Sequence, residues 1–332
     1  MDYLTGRKIM KTRKLGWTDL NLSIIGLGTW AIGGGKWKFS WGPQDDRDSI
    51  SAIQRALELG INWIDTAAVY GLGHSEEIVR KAIRGLRKKP IIATKCERVW
   101  DKDGNISGRL KKKSIRSEIE ASLKRLKIEV IDLYQIHWPE PDEDIEEAWT
   151  TLGDLIKEGK IRYGGVSNFN LQQLKRVQPI HPVASLQPPY SMLERGIEKK
   201  ILPYCSANNI GVVTYSPMQK GLLTGKFSRE RVKNLPKDDH RGRDPRFQEP
   251  ELSANLNLVE HLRSIAEKSG RTVAQLAIAW VLRRPEVTAA IVGARHPSQI
   301  EETAVAGDWM LSKEDIATIN ALLEKSQKAS YQ

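Results

Sequence analysis

The sequence predicts a (β/α)8 barrel of the α/β class, with an N-terminal β-hairpin and a long loop after its seventh strand. Three observations predict it. Eight short apolar runs alternate with amphipathic stretches at the spacing of βα units. The runs lack the in–out alternation of a half-exposed sheet, which suits parallel strands covered on both faces. Gly26-Leu27-Gly28 continues as Thr29-Trp30, with Ala31 where a third glycine would fall, so the turn of an open dinucleotide-binding sheet is missing.

The elements follow in order. Lys14–Leu22 has a Thr18-Asp19 turn between apolar positions and reads as a hairpin closing the barrel floor. The strands are Ser23–Gly28, Ile61–Asp65, Pro90–Lys95, Val130–His137, Ile161–Val166, Val183–Gln187, Gly211–Tyr215 and Ala289–Val292. Between them lie helices at Ser49–Leu59, Ser75–Leu86, Ser114–Leu126, Ile145–Glu158, Leu171–Val177, Ile197–Asn208, Leu256–Ser269, Val273–Arg283 and, after the last strand, Pro297–Ala304. Ser114 reads as an N-cap. Gly33–Asp48 is a small excursion rich in glycine and tryptophan. Met218–Asn255, rich in proline, glycine and charge, reads as a lid-type loop. The expected organisation is a basic extension over residues 1–13, one barrel domain over 14–323 and a tail over 324–332.

Composition sets bounds. The 332 residues suit one large barrel, with 40% hydrophobic and 28% charged residues. No apolar run is long enough to cross a membrane, and no apolar segment of a secretory signal precedes Leu15. Two cysteines, Cys96 and Cys205, build neither a disulfide framework nor a cysteine-only zinc site, and the six histidines are scattered. A cytoplasmic location and no metal are expected. The net charge of +11 sits mainly in the N-terminal segment, in Lys111–Lys113 and in the Arg229–Arg246 loop. No nucleic-acid-binding motif accompanies it, so an anionic small ligand is expected rather than nucleic acid.

Chemistry in a parallel barrel belongs at the C-terminal strand ends. There stand Asp65, Lys95 and His137, with Tyr70 in the loop after the second strand. Tyrosine titrates near pH ~10; a nearby ammonium favours its phenolate, and a carboxylate orients the ammonium. Such a phenol can protonate a carbonyl oxygen as hydride reaches the carbon. Each residue alone also suits a structural role: a strand-end cap, an ion pair, a rim aromatic, a core histidine. Together at successive strand ends they point to function.

The residues also resemble a known family, the aldo-keto reductases. The ordered motifs are Gly26–Trp30, Asp65–Gly71, Ala93–Lys95, Asp132–Pro139, Gly165–Phe169, Gln187–Tyr190, Tyr215–Pro217 and Ile291–Arg295, covering Lys14 to about Leu323. The resemblance implies a TIM barrel that binds NADPH across its upper face and reduces small-molecule aldehydes or ketones. It implies Tyr70 as general acid, Lys95 and Asp65 tuning it, and His137 orienting the carbonyl. For the cofactor it implies Gly28, Thr29 and Trp30; Ser167, Asn168 and Gln187 on the carboxamide; Tyr215 stacked on the nicotinamide; Ser216, Pro217, Met218, Gly221 and Leu222 at the pyrophosphate; and Gly293, Ala294, Arg295, Gln299, Glu302 and Thr303 at the adenosine end. Arg295 at a helix start suits a 2′-phosphate, hence NADPH.

The chain departs from many relatives at Thr303 and Ser191, where they carry asparagine, and at Gly293-Ala294-Arg295. The last, with the long loop, is similar to the bacterial and channel-β-subunit branches, which admits a second reading as a nucleotide-sensing regulatory subunit. Ten tryptophans outnumber eight tyrosines and four phenylalanines. Trp30 and Trp138 are the expected substrate walls beside Tyr70 and His137, with Trp37, Trp41 and Trp100 as further candidates.

Overall fold

The computed structural model describes residues 10–329; most of the expected N-terminal extension and the last three residues lie outside them. A hairpin of β1 (Thr12–Lys14) and β2 (Asn21–Ser23) comes first. The barrel then begins: β3 (Ile25–Gly28), α1 (Asp46–Glu58), β4 (Trp63–Asp65), α2 (His74–Ile83) and β5 (Ile91–Cys96). A second small hairpin, β6 (Arg98–Trp100) and β7 (Ile106–Gly108), precedes α3 (Lys112–Leu126). Next are β8 (Ile131–Ile136), α4 (Ile145–Lys157), β9 (Ile161–Ser167), α5 (Leu171–Val177), β10 (Ser185–Gln187), α6 (Ile201–Ala207) and β11 (Gly211–Thr214). After the long loop and its short α7 (Arg229–Lys233) come α8 (Glu251–Lys268), α9 (Val273–Leu282), β12 (Ala289–Gly293), α10 (Pro297–Ala304) and α11 (Lys313–Ala329).

Eight strands close in the order β3-β4-β5-β8-β9-β10-β11-β12, with β12 pairing back to β3 in parallel. This is the (β/α)8 barrel the alternation predicts. Its floor is plugged as expected: Leu15, Leu20 and Leu22 of the hairpin pack with Trp63, Ala93, Leu133, Ala184, Val213 and Ala289 from the barrel interior. Each fully buried leucine contributes about 1.5–3 kcal/mol. Trp63 fits because Gly26 has no side chain; a Cβ there would lie 2.1 Å from its ring.

Element boundaries shift where capping decides them. α1 starts at Asp46 rather than Ser49 because the Asp45 carboxylate accepts from the amides of Arg47 and Asp48 at 2.7 and 3.2 Å. Ser114 is not the N-cap of α3. The Lys112 amide donates to Glu147 Oε1 of α4 at 2.9 Å, and the Ser114 hydroxyl, one turn in, donates to Glu118 at 2.9 Å. The Met218–Asn255 stretch is not featureless: it winds through short turns and α7, and α8 already begins at Glu251. The last helix, α11, was not read from the sequence. It runs across residue 323 to Ala329 and packs on α8, burying Ile319 and Leu323.

Candidate active site

The C-terminal strand ends open into a cleft of about 1050 Å³. At its base, four side chains from separate β-strand ends and loops meet. Lys95 Nζ lies 2.7 Å from Asp65 Oδ2, 3.0 Å from the Thr66 carbonyl and 3.5 Å from the Tyr70 hydroxyl. The second carboxylate oxygen of Asp65 accepts from Gln187 Nε2 at 2.8 Å. The Tyr70 ring meets His137 edge-on, with centroids 5.7 Å apart. Gly71 makes the turn that holds Tyr70: its φ is +63°, and a Cβ would sit 2.0 Å from the Gly33 carbonyl oxygen.

Electrostatics follow from burial. Lys95 and Asp65 are sealed from solvent. Burial lowers the Lys95 ammonium below its ordinary value, opposed by Asp65. Tyr70 departs from the sequence expectation. Burial, followed by the charge of Asp65, raises its phenol well above the ordinary value instead of lowering it, so it stays protonated at neutral pH. His137 is pushed well below its ordinary value by burial, then by Lys95 and Arg98, and is a neutral imidazole.

Around this base, Ser167, Asn168, Gln187 and Tyr215 form one connected shelf. Ser167 Oγ donates to the Gln187 carbonyl at 2.8 Å, Asn168 Nδ2 donates to the His137 carbonyl at 2.9 Å, and the Tyr215 hydroxyl donates to Asn168 Oδ1 at 2.8 Å. Asn168, Ser216 and Lys220 hold positive φ angles of 62°, 53° and 54°. Non-glycine residues store strain in that region, which concentrates at functional sites.

Most of the expected site residues line the cleft: Gly28, Trp30, Trp138, Ser216, Pro217, Met218, Gly221, Gly293, Ala294, Arg295, Gln299, Glu302 and Thr303, besides those already described. Two do not. Thr29 is turned into the wall, donating to the Asp65 carbonyl at 3.1 Å. Leu222 is buried with Phe227 and Phe247 beneath the loop. Trp37 and Trp41 join the lining, whereas Trp100 packs by Arg125 outside it.

The far end of the cleft is basic and tightly held. The Arg295 guanidinium is fastened to the Gln44 side chain and to the carbonyls of Trp41 and Pro43. Gln299 Oε1 accepts from the Arg295 and His296 amides at 2.7 and 3.3 Å. Glu302 pairs with Lys226 of the long loop. Gln44, Lys226 and the loop residue His240 were not read from the sequence. His240 stacks on Trp30 at 4.7 Å, and Trp30 stacks on Tyr70 at 6.3 Å. Nothing local marks His240; only the folded loop brings it there.

A family model described as aldo/keto reductase family matches residues 24–324. The chain belongs to the aldo/keto reductase family. The family's enzymes use nicotinamide cofactors. Over 312 residues the chain is 42% identical to the aldo-keto reductase YhdN of Bacillus subtilis, covering 93% of this chain and 92% of that one. It is 35% identical over 333 residues to the NADH-specific methylglyoxal reductase of Escherichia coli, covering 96% and 100%. Among solved structures, the glycerol dehydrogenase of Gluconobacter oxydans superposes with a TM-score of 0.86 at 40% identity, covering 96% of this chain and 97% of that one. No helix of the described residues is long and apolar enough to cross a membrane.

Proposed function

We propose that the protein is a cytoplasmic NADPH-dependent reductase that converts aldehydes and ketones to alcohols, reversibly, with Tyr70 as general acid. The observation that carries this reading is the contact of Lys95 with both Asp65 and the Tyr70 hydroxyl, beside the neutral His137. A substrate carbonyl would accept hydrogen bonds from the Tyr70 hydroxyl and from His137. The Tyr70 proton then passes to the oxygen as the carbon is reduced. Lys95 stabilises the phenolate left behind, and Asp65 and the Thr66 carbonyl hold the ammonium still. Trp30 and Trp138 wall the substrate.

The residues present suit a dinucleotide. Three buried polar atoms of cleft-lining residues, Trp41 Nε1, His240 Nε2 and Glu302 Oε1, lack a hydrogen-bond partner among the described residues. Such atoms are costly unless a ligand satisfies them. Ser167, Asn168 and Gln187 would hold the carboxamide, Tyr215 the ring, the Ser216–Gly221 backbone the pyrophosphate, and Gln299, Glu302 and Thr303 the adenosine. Arg295 supports NADPH over NADH, because no carboxylate among the described residues lies within ion-pair distance of it. When bound, the reduced nicotinamide supplies hydride to the carbonyl carbon.

The test is turnover of para-nitrobenzaldehyde by the purified protein, followed by cofactor absorbance with NADPH and NADH in parallel. Turnover favouring NADPH is expected. Cofactor binding without turnover of any carbonyl would favour a regulatory subunit instead.

A further inference from the structure

The acids that line the cleft are already matched. Asp65 pairs with Lys95, Asp244 with Lys220 at 2.7 Å, and Glu302 with Lys226. The lining cations outnumber these acids: Arg241 and Arg246 pair with Asp239 and Glu194, whereas Lys38, Arg231, Arg243 and Arg295 have no ion pair among the described residues. Arg295 lies at the end read above as the adenosine end. Two others, Lys38 and Arg243, lie at the reacting end. Lys38 follows Trp37, whose ring is 6.3 Å from that of Tyr70. The Lys38 ammonium makes no hydrogen bond or ion pair among the described residues, only a contact with the Phe39 ring at 5.5 Å. Arg243 is fixed beside it, donating to the Lys38 carbonyl at 2.6 Å, and no carboxylate among the described residues pairs with it. Asp238, the acid on this wall, accepts from the Lys36 amide and the Ser40 hydroxyl at 3.1 and 3.2 Å instead.

Arg98 of β6 also lines the cleft. It stacks over Trp138 at 5.6 Å and is close enough to His137 to depress that imidazole. Two carboxylates approach Arg98, Glu140 at 2.7 Å and Glu97 at 3.3 Å. Burial pushes Glu97 up to about 9, so at neutral pH Glu140 alone opposes the guanidinium.

We propose that the substrate is an anionic carbonyl compound, bearing a carboxylate or phosphate that Lys38, Arg243 and Arg98 hold over Tyr70 and His137. This rests on the reductase reading and narrows its substrate class. An excess of one charge sign in a cleft with low-dielectric walls focuses field on the incoming ligand and raises its capture rate. At the Tyr70 end that ligand is the substrate, because the 2′-phosphate is assigned to Arg295 and the pyrophosphate to the backbone that follows Ser216.

The experiment measures kcat/KM with NADPH for two matched pairs: succinic semialdehyde against its methyl ester, and glycolaldehyde phosphate against glycolaldehyde. At low salt the anion of at least one pair should exceed its neutral partner by about tenfold or more, and the advantage should shrink as salt is added. The pair that shows it identifies the carboxylate or the phosphate as the favoured charge. Lys38→Glu should collapse the anion-to-neutral ratio, and Lys38→Arg should restore it. Equal kcat/KM within both pairs overturns the proposal and leaves the reductase reading standing. A preference that survives Lys38→Glu unchanged overturns it too. No turnover of any of the four compounds while para-nitrobenzaldehyde is reduced overturns this proposal alone; failure of para-nitrobenzaldehyde as well defeats the reductase reading with it.

Discussion

Lys95 and Asp65 form an ion pair of 2.7 Å from which water is excluded, with the two side chains 0% and 4% exposed. Isolated charges there would be costly. Each satisfies the other, and the Thr66 carbonyl and Gln187 amide take the remaining bonds. The pair is therefore a fixed support on which Tyr70 rests.

Breaking that support should show in stability as well as in rate. Asp65→Ala strands a buried ammonium and should cost about 3–5 kcal/mol, read as a lower midpoint in thermal or denaturant unfolding. The double variant Asp65→Leu with Lys95→Met should recover much of that stability without recovering turnover. A single variant as stable as the parent would mean that the pair is solvated in solution.

Arg295 sets the second prediction. Its guanidinium is oriented by Gln44 and two backbone carbonyls, so it is pre-aimed rather than freely mobile. Arg295→Ala should weaken NADPH at least about tenfold, the order of one lost charge-assisted hydrogen bond, and leave NADH nearly unchanged. Gln44→Ala should show a smaller version of the same bias. Equal weakening of both cofactors, by fluorescence titration, would remove Arg295 from the 2′-phosphate.

His240 ties the long loop to the first excursion. Its Nδ1 lies 3.0 Å from the Ser40 carbonyl, and its ring stacks on Trp30. Burial lowers it from 6.5 to about 4, with Lys220, Asp239 and Arg241 facing it. The neutral form is the one the fold prefers. Its contribution is complete above pH ~6.5 and is lost as pH falls toward ~4, because the unfolded chain takes up the proton first. Stability measured across that window should therefore decline more steeply for the parent than for His240→Phe, which keeps the ring but cannot titrate. Parallel curves for the two would contradict this.

The barrel was legible because its parallel strands are buried on both faces and read as apolar runs, and Leu171–Val177 and Pro297–Ala304 form helices over the same residues that the sequence marks. The β6–β7 hairpin was not, because its strands have three residues each and no apolar alternation. The gathering of Asp65, Tyr70, Lys95 and His137 was legible because a parallel barrel brings its strand ends to one face. The sign of the Tyr70 shift was not, since burial and then the Asp65 charge decide it, and burial is set by the folded chain. The bond from Gln44 to Arg295 joins residues 251 apart in the chain and has no local signature.

The most direct measurement is a side-by-side assay of the parent and Tyr70→Phe with NADPH and para-nitrobenzaldehyde, with NADPH affinity determined for both. Loss of the phenolic proton should lower kcat by about 10²–10⁴-fold while NADPH binds both proteins equally well. A Tyr70→Phe protein that turns over at the parent's rate would contradict it.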